Sequence, residues 1–152
     1  MDDRRWLELA CDLARLCPPS ATAFSVGAVV VGADGREIAR GHSRETGPHV
    51  HAEEVALAKA APARDEPVPA LRAPGTTVYT SLEPCSRRRS RPLTCTDLIL
   101  AAGVPRVVFA WREPSVFVEG KGAELLLARG VEVVEMPELA LRAREPNRHL
   151  LG

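Results

Sequence analysis

The feature that most constrains this chain is a regular alternation of short β-branched runs with helix-patterned segments. SVGAVVVG (25–32) ends in the turn signal Ala33-Asp34-Gly35, and REIARGHS (36–43) follows as its hairpin partner. HAEEVALAKAA (51–61) then reads as an Ala-rich helix, TTVYTS (76–81) as a strand and 95–102 as a helix. PRVVFAW (105–111) reads as a buried strand, KGAELLLARG (121–130) as a helix closed by Gly130, and VEVVEM (131–136) as a strand. Ahead of them, Trp6, Leu7, Leu9, Ala10, Leu13, Ala14 and Leu16 recur at helical spacing over 3–16, until Pro18-Pro19 stops the helix. The order is α-β-β-α-β-α-β-α-β. One hairpin followed by βαβ units makes an α/β protein with a mixed sheet and helices packed on its faces. For the helix at 95–102, Thr94 is the N-cap, Asp97 its capping-box partner and Gly103 the residue beyond its end. Pro62, Pro67, Pro69 and Pro74 mark a long loop, and the polar tail 137–152 reads as a loosely ordered helix.

A length of 152 residues suits one domain, here taken as 1–152, with a sizeable core. Lys+Arg and Asp+Glu are equal at 20 each. Binding through phosphate neutralisation calls for a basic surplus, so nucleic acid is not the expected partner. Aromatic residues make up only 4%, too few for a row of base-stacking platforms. The start, MDDRRWLELA, lacks the apolar core of a signal peptide, and no apolar run is long enough to span a bilayer. The expectation is a cytoplasmic protein with reduced thiols. Four Cys in that setting point to metal binding or catalysis before disulfides.

Three fragments carry chemistry: His51-Ala52-Glu53, Pro84-Cys85 and Cys95. Catalytic zinc takes three protein ligands and keeps a fourth position for water. One His and two Cys match that count, and two thiolates balance the charge of Zn²⁺. Bound zinc lowers the pKa of its water to near neutrality. His51 and Cys95 both sit at predicted helix starts, where thiolates are stabilised. Glu53, two residues after His51, borders the same pocket at the helix mouth and suits proton transfer. Its neighbour Glu54 reads as a solvated helix residue. Cys11 and Cys17, on the first helix and at its end, read as small packed residues. Between the ligand Cys, Arg87, Arg88, Arg89 and Arg91 form a basic loop anchored at both ends to the metal. Arg88 and Arg89 are candidates for contact with an anionic group such as phosphate. His42 and His49 flank the pocket loop, and Glu83 lies beside the metal as a candidate acceptor for substrate.

These residues resemble the cytidine-deaminase-like zinc enzymes, whose signature is His-x-Glu followed by Pro-Cys and a second Cys. HAEEVALAKA (51–60), TSLEPCS (80–86), CTDLILAAGVPRVVFA (95–110) and EPSVFVEGKGAELLLARGVEVV (113–134) are similar, more closely, to the RibD-type riboflavin-biosynthesis deaminase domain. The likeness covers roughly 5–135. It implies a three-layer α-β-α cytidine-deaminase-like fold with a central mixed five-stranded sheet and a homo-oligomer. It also implies Zn²⁺ as cofactor, and hydrolytic removal of an exocyclic amine from a pyrimidine-like ring. By the same likeness, the carbonyl of Ser81 accepts from the leaving amine. In this alignment Ala23 occupies the position of a substrate-holding Asn.

The chain also departs from that pattern. Nine residues, SRRRSRPLT, separate Cys85 from Cys95, where the RibD pattern typically has eight, including a His and a Gly. AFSVGAV resembles the FxVGA stretch of nucleoside-type cytidine deaminases, and the reductase domain of RibD chains has no counterpart here. The reading is therefore a RibD-like deaminase of a small aminated heterocycle. The alternatives are a cytidine or nucleoside deaminase, a secondary-metabolite aminoheterocycle deaminase, a nucleic-acid editing deaminase and a non-enzymatic zinc scaffold.

Overall fold

A computed structural model describes residues 2–61, 69–86, 93–112, 114 and 121–151. Five strands form one sheet in the order β2-β1-β3-β4-β5: β1 (Gly27–Val31), β2 (Glu37–His42), β3 (Thr77–Leu82), β4 (Arg106–Trp111) and β5 (Glu132–Glu135). β1 is antiparallel to β2 and to β3, whereas β3, β4 and β5 run parallel. This is the mixed sheet that one hairpin and two crossovers require. The helices are α1 (Asp3–Ala14), α2 (Ala52–Ala60), α3 (Pro69–Arg72), α4 (Cys95–Ala102), α5 (Gly122–Ala128) and α6 (Ala140–Arg144). The short helix α3 was not anticipated, since its segment reads as a proline-marked loop. Leu71 anchors it in the core at 2% exposure.

Alternation along each strand divides the core into two layers. Ala28, Val30, Val78 and Val107 pack with Ala52, Ala56, Ile99 and Leu126 of α2, α4 and α5. Val29, Val31, Tyr79 and Val108 pack with Trp6, Leu7, Ala10 and Cys11 of α1, and with Leu139 and Ala143 near the C-terminus. The central strands β1 and β3 are buried along their whole length because helices cover both of their faces. Cys11 lies wholly inside, and burial pushes its thiol up to about 12, which suits an inert packed residue. Cys17 is half-buried and its thiol is likewise raised by burial.

The tail differs from the loose segment expected. Residues Pro137–Leu139 and Glu145–Leu150 are 3-10 turns on either side of α6. Asn147, only 1% exposed, accepts from the Ser25 amide at 2.6 Å and donates to the Ser25 carbonyl at 2.9 Å. That pairing acts across 122 residues of chain, so a reading of local composition could not reveal it.

The strand directions place one end of the sheet in control of function. β3 ends at Leu82 and β4 at Trp111, while antiparallel β1 begins at Gly27 beside the end of β2 at His42. The loops leading to α2 and α4 therefore leave from the same edge. α2 lies directly on β2: a Cβ on Gly41 would fall 2.8 Å from Val55 Cβ and 2.9 Å from the Ala52 carbonyl. At the opposite end, the Arg106 guanidinium grips both oxygens of Asp3, at 2.9 and 2.6 Å, joining α1 to β4. Tyr79 Oη donates to the same carboxylate at 2.6 Å.

Two outcomes follow from these contacts. Gly41→Ala should destabilise the protein by about 1–3 kcal/mol through overpacking, seen as a lower urea midpoint at unchanged slope. The hydrogen bond from Arg106 holds the Asp3 carboxyl below its ordinary value, so this pair stabilises the fold when Asp3 is ionised. The stability difference between wild type and Asp3→Asn should be full above about pH 5. It should shrink as the pH falls below the ordinary aspartate value of about 3.9 toward the depressed one. Urea titrations of both proteins across that range measure it.

Candidate metal centre

Cys95 is the first residue of α4, and the start of that helix is fixed by its neighbours. Thr94 Oγ1 accepts from the Asp97 amide at 3.1 Å, and Asp97 Oδ2 accepts from the Thr94 amide at 3.0 Å. Gly103 ends the helix in the left-handed conformation at φ 78°, which glycine adopts without a steric penalty. The cap, its partner and the terminating glycine are those expected from the sequence.

His51 is the N-cap residue of α2. The Glu54 carboxylate, three residues on, accepts from the His51 amide at 3.2 Å. Glu54 is thus a cap that fixes the backbone of a ligand, where the sequence suggested only a solvated residue. The spacing of His51 and Glu54 is the second half of a capping box, a signal that an N-cap of His rather than Ser or Thr conceals. Glu53 is 3% exposed, which sets the two acids apart.

Cys85 follows the end of β3 by three residues. Its carbonyl accepts from Thr96 twice, from Oγ1 at 2.9 Å and from the amide at 3.2 Å. Nothing in the sequence marks Thr96 for this part. The two cysteine-bearing segments are therefore tied to each other by protein contacts alone.

His51 Nδ1 lies 3.3 Å from Cys95 Sγ and 3.5 Å from Cys85 Sγ. All three donor atoms fall within 4.8 Å of one another. A tetrahedron with Zn–N of about 2.0–2.1 Å and Zn–S of about 2.3 Å has a nitrogen–sulfur edge of about 3.5 Å. The residues fit the metal in donor type, number and spacing. Among the described residues this is the one cluster of His, Cys, Asp or Glu so arranged. Hydrogen bonds from the Cys95 thiol, the His51 ring and the Cys95 amide, the last at 3.2 Å, hold the Cys85 thiol down to about 4 against the upward push of burial. The site favours a thiolate, the form that binds metal.

The remaining sequence candidates are distributed around the same end of the sheet. Ser81 is 1% exposed, and its Oγ accepts from the Gly27 amide at 3.1 Å. Ala23 is half-buried on the loop before β1, and its amide donates to Ser20 Oγ at 3.1 Å. The His42 ring is engaged within the protein, with Nδ1 3.1 Å from the Ser43 carbonyl and Nε2 3.6 Å from Glu45. His49 is exposed on the loop leading to α2. Glu83 is 2% exposed, and its Oε2 accepts from the Ala123 amide of α5 at 2.8 Å. Arg87, Arg88, Arg89 and Arg91 lie outside the described residues.

Comparison with known proteins agrees with this geometry. The fission yeast Schizosaccharomyces pombe diaminohydroxyphosphoribosylamino-pyrimidine deaminase is 39% identical over 126 residues, covering 83% of this chain and 30% of that protein. The chain spans about a third of the length of the curated relatives it matches. The structure of Acinetobacter baumannii RibD (form 2) superposes with a TM-score of 0.78 at 30% identity, over 98% of this chain and 39% of that one. Aspergillus oryzae Rib2 deaminase, a C-terminal deletion mutant at pH 6.5 or 4.6, is covered almost end to end. At pH 4.6 the TM-score is 0.75 at 26% identity, over 99% of each chain. The fold is thus the three-layer α-β-α arrangement of the cytidine-deaminase-like enzymes, with the five-stranded mixed sheet in the middle layer. The family model for the cytidine and deoxycytidylate deaminase zinc-binding region matches residues 1–111, a span that contains His51, Glu53, Cys85 and Cys95, and the chain belongs to that family of zinc-binding deaminases.

Proposed function

We propose that the chain is a hydrolytic aminohydrolase that removes an exocyclic amine from a phosphoribosylated aminopyrimidine or a close relative of one. The observation that carries this reading is a His51–Cys85–Cys95 cluster of three donors with a buried carboxylate, Glu53, two residues from the His ligand. A structural zinc site normally has four protein ligands. Three leave a place for water, which distinguishes a reaction centre from a zinc scaffold. The similarity to the yeast diaminohydroxyphosphoribosylamino-pyrimidine deaminase supports the substrate class.

Zinc, when bound, supplies the Lewis acidity that makes water nucleophilic near neutral pH. Glu53 would take a proton from the attacking water as the new C–O bond forms at the amine-bearing ring carbon. The same carboxyl would pass that proton to the ring nitrogen, then take the second proton from the hydroxyl now on the ring carbon and deliver it to the amine. The C–N bond breaks, ammonia leaves and a ring carbonyl remains. In this reading Ala23, His42, His49 and the Ser81 carbonyl stand around the substrate, Arg88 or Arg89 meets its phosphate, and the Glu83 carboxylate is turned to the Ala123 amide instead.

A second reading is favoured by one local feature. Ala23 brings no amide to the position where the family holds substrate, and the next residue, Phe24, packs edge-on against Trp111 with ring centroids 5.2 Å apart. The missing side-chain amide at position 23 suits a nucleoside or a natural-product aminoheterocycle. Among the described residues no helix is long and apolar enough to cross a membrane, and all four cysteines are free. Both observations support a cytoplasmic setting. A homodimer or higher oligomer is part of this proposal and rests on the family likeness.

Ammonia release should be measured across aminopyrimidines, nucleosides, nucleotides and the phosphoribosylaminopyrimidine of riboflavin synthesis. Fastest turnover of the last is expected; preference for an unphosphorylated nucleoside would move the assignment to the second reading. Glu53→Gln should keep stoichiometric zinc by metal analysis yet lower kcat by roughly 10²–10⁴-fold, and near-normal turnover would rule out the proton-transfer role. Arg88→Ala and Arg89→Ala should raise KM about tenfold or more for phosphorylated substrate only. Equal effects on phosphorylated and unphosphorylated substrates would remove the phosphate contact.

A further inference from the structure

Helix α5 supplies no metal ligand, yet its first turn touches the chain on both sides of Cys85. Before the ligand, the Glu83 carboxylate accepts from the Ala123 amide at 2.8 Å. At the next residue, Gly122 lies so close to Pro84 that a Cβ would fall 1.9 Å from the Pro84 carbonyl oxygen. After the ligand, the Lys121 amide donates to Ser86 Oγ at 3.2 Å. Positions 83, 84 and 86 are thus all engaged by residues 121–123, while Thr96 of α4 holds the carbonyl of Cys85 itself.

We propose that Glu83 is a positioning residue for the metal centre: it docks α5 against the Pro84–Cys85 turn and so sets where the Cys85 sulfur stands. Its backbone amide donates to the Trp111 carbonyl at 2.8 Å, extending the pairing of β3 with β4. The residue is therefore anchored to the sheet through its main chain and to α5 through its side chain. A carboxylate only 2% exposed is costly to keep unless its oxygens are hydrogen-bonded, and the first turn of a helix offers amides with no partner inside the helix. Gly122 completes the arrangement, since any side chain there would push α5 away from Pro84 and pull Ala123 out of reach. Partners that orient ligands in this way commonly govern metal affinity as well as activity. The inference rests on the metal site and is independent of which heterocycle is the substrate.

The test compares full-length Glu83→Ala, Glu83→Gln, Gly122→Ala and a distant control, Val31→Ala, on the α1 side of the sheet. Zinc affinity is read by competition with a chromophoric chelator, and ligand geometry by the visible absorption of the Co²⁺-substituted protein. Stability of the metal-free protein is read by urea. Glu83→Ala and Gly122→Ala should weaken zinc binding about 10–100-fold and alter the Co²⁺ bands. Glu83→Gln should recover most of the affinity, because an amide oxygen accepts the same bond. Val31→Ala should lower stability and leave zinc affinity unchanged. The proposal is overturned if Glu83→Ala binds zinc as wild type does, or loses affinity no more than Val31→Ala at matched stability. It is equally overturned if Glu83→Gln fails as badly as Glu83→Ala. A rise in KM with zinc affinity intact would make Glu83 a substrate contact instead, and would also overturn it.

Discussion

One nitrogen and two sulfurs must meet although their residues are separated by 34 and 10 positions in the chain. That convergence is what the rest of the fold serves. It is achieved by strand direction: β3 delivers Cys85 to one edge of the sheet, and antiparallel β1 returns β2 to the same edge, from which the chain reaches His51. Two of the three donors then sit at helix starts, where the capping residues fix the backbone. Cys95 contributes its amide as well as its sulfur, since that amide donates to Cys85 Sγ. The backbones that carry the three donors are thus held by ordinary hydrogen bonds among the protein's own residues.

Burial separates the parts played by similar residues. Glu53, Glu54 and Glu83 are all acids near the metal, and composition alone gives them no distinct parts. In the structure, Glu54 is half-buried and closes on the amide of His51. Glu83 is turned toward α5, and Glu53 is enclosed at the mouth of α2. Only a carboxylate near the reacting atoms and screened from bulk water gains from the lower local dielectric in moving protons. The cysteines divide in the same way. Burial, with the charges of Asp12 and Glu8 beside it, raises the Cys11 thiol, whereas at Cys85 the donors around the sulfur outweigh burial and favour the thiolate.

The parts of this design that could be read from the sequence are those written in local chemistry. The hairpin at Gly35, the alternation of strands and helices, and the Thr94–Asp97–Gly103 frame of α4 all depend on residues within a few positions of one another. His51, Cys85 and Cys95 were legible as a set because metal chemistry restricts donor type so severely. What escaped depends on contacts between distant segments. Thr96 looks like any helix residue until Cys85 is placed beside it. The capping role of Glu54 is hidden by the unusual N-cap. The tail looks polar and loose because the pairing that fixes it lies between Asn147 and Ser25, at opposite ends of the chain.

That last pairing bears on how one scaffold accommodates different rings. The loop before β1, which carries Ala23, is held through its main chain. Arg44, at φ 59°, donates to the carbonyls of Pro18 and Phe24 and to Ser25 Oγ. From the other side, Asn147 pairs with both main-chain groups of Ser25. Arg44 also donates its own amide to the Val50 carbonyl, immediately before His51. The loop and the ligand segment are thereby fixed relative to each other. Because most of these bonds go to backbone atoms, the loop keeps its course whichever side chain stands at position 23. An amide can be exchanged there for a methyl group without disturbing the metal centre. Under the proposed function, a change of side chain at position 23 would therefore alter the group that meets the ring and leave the metal centre in place.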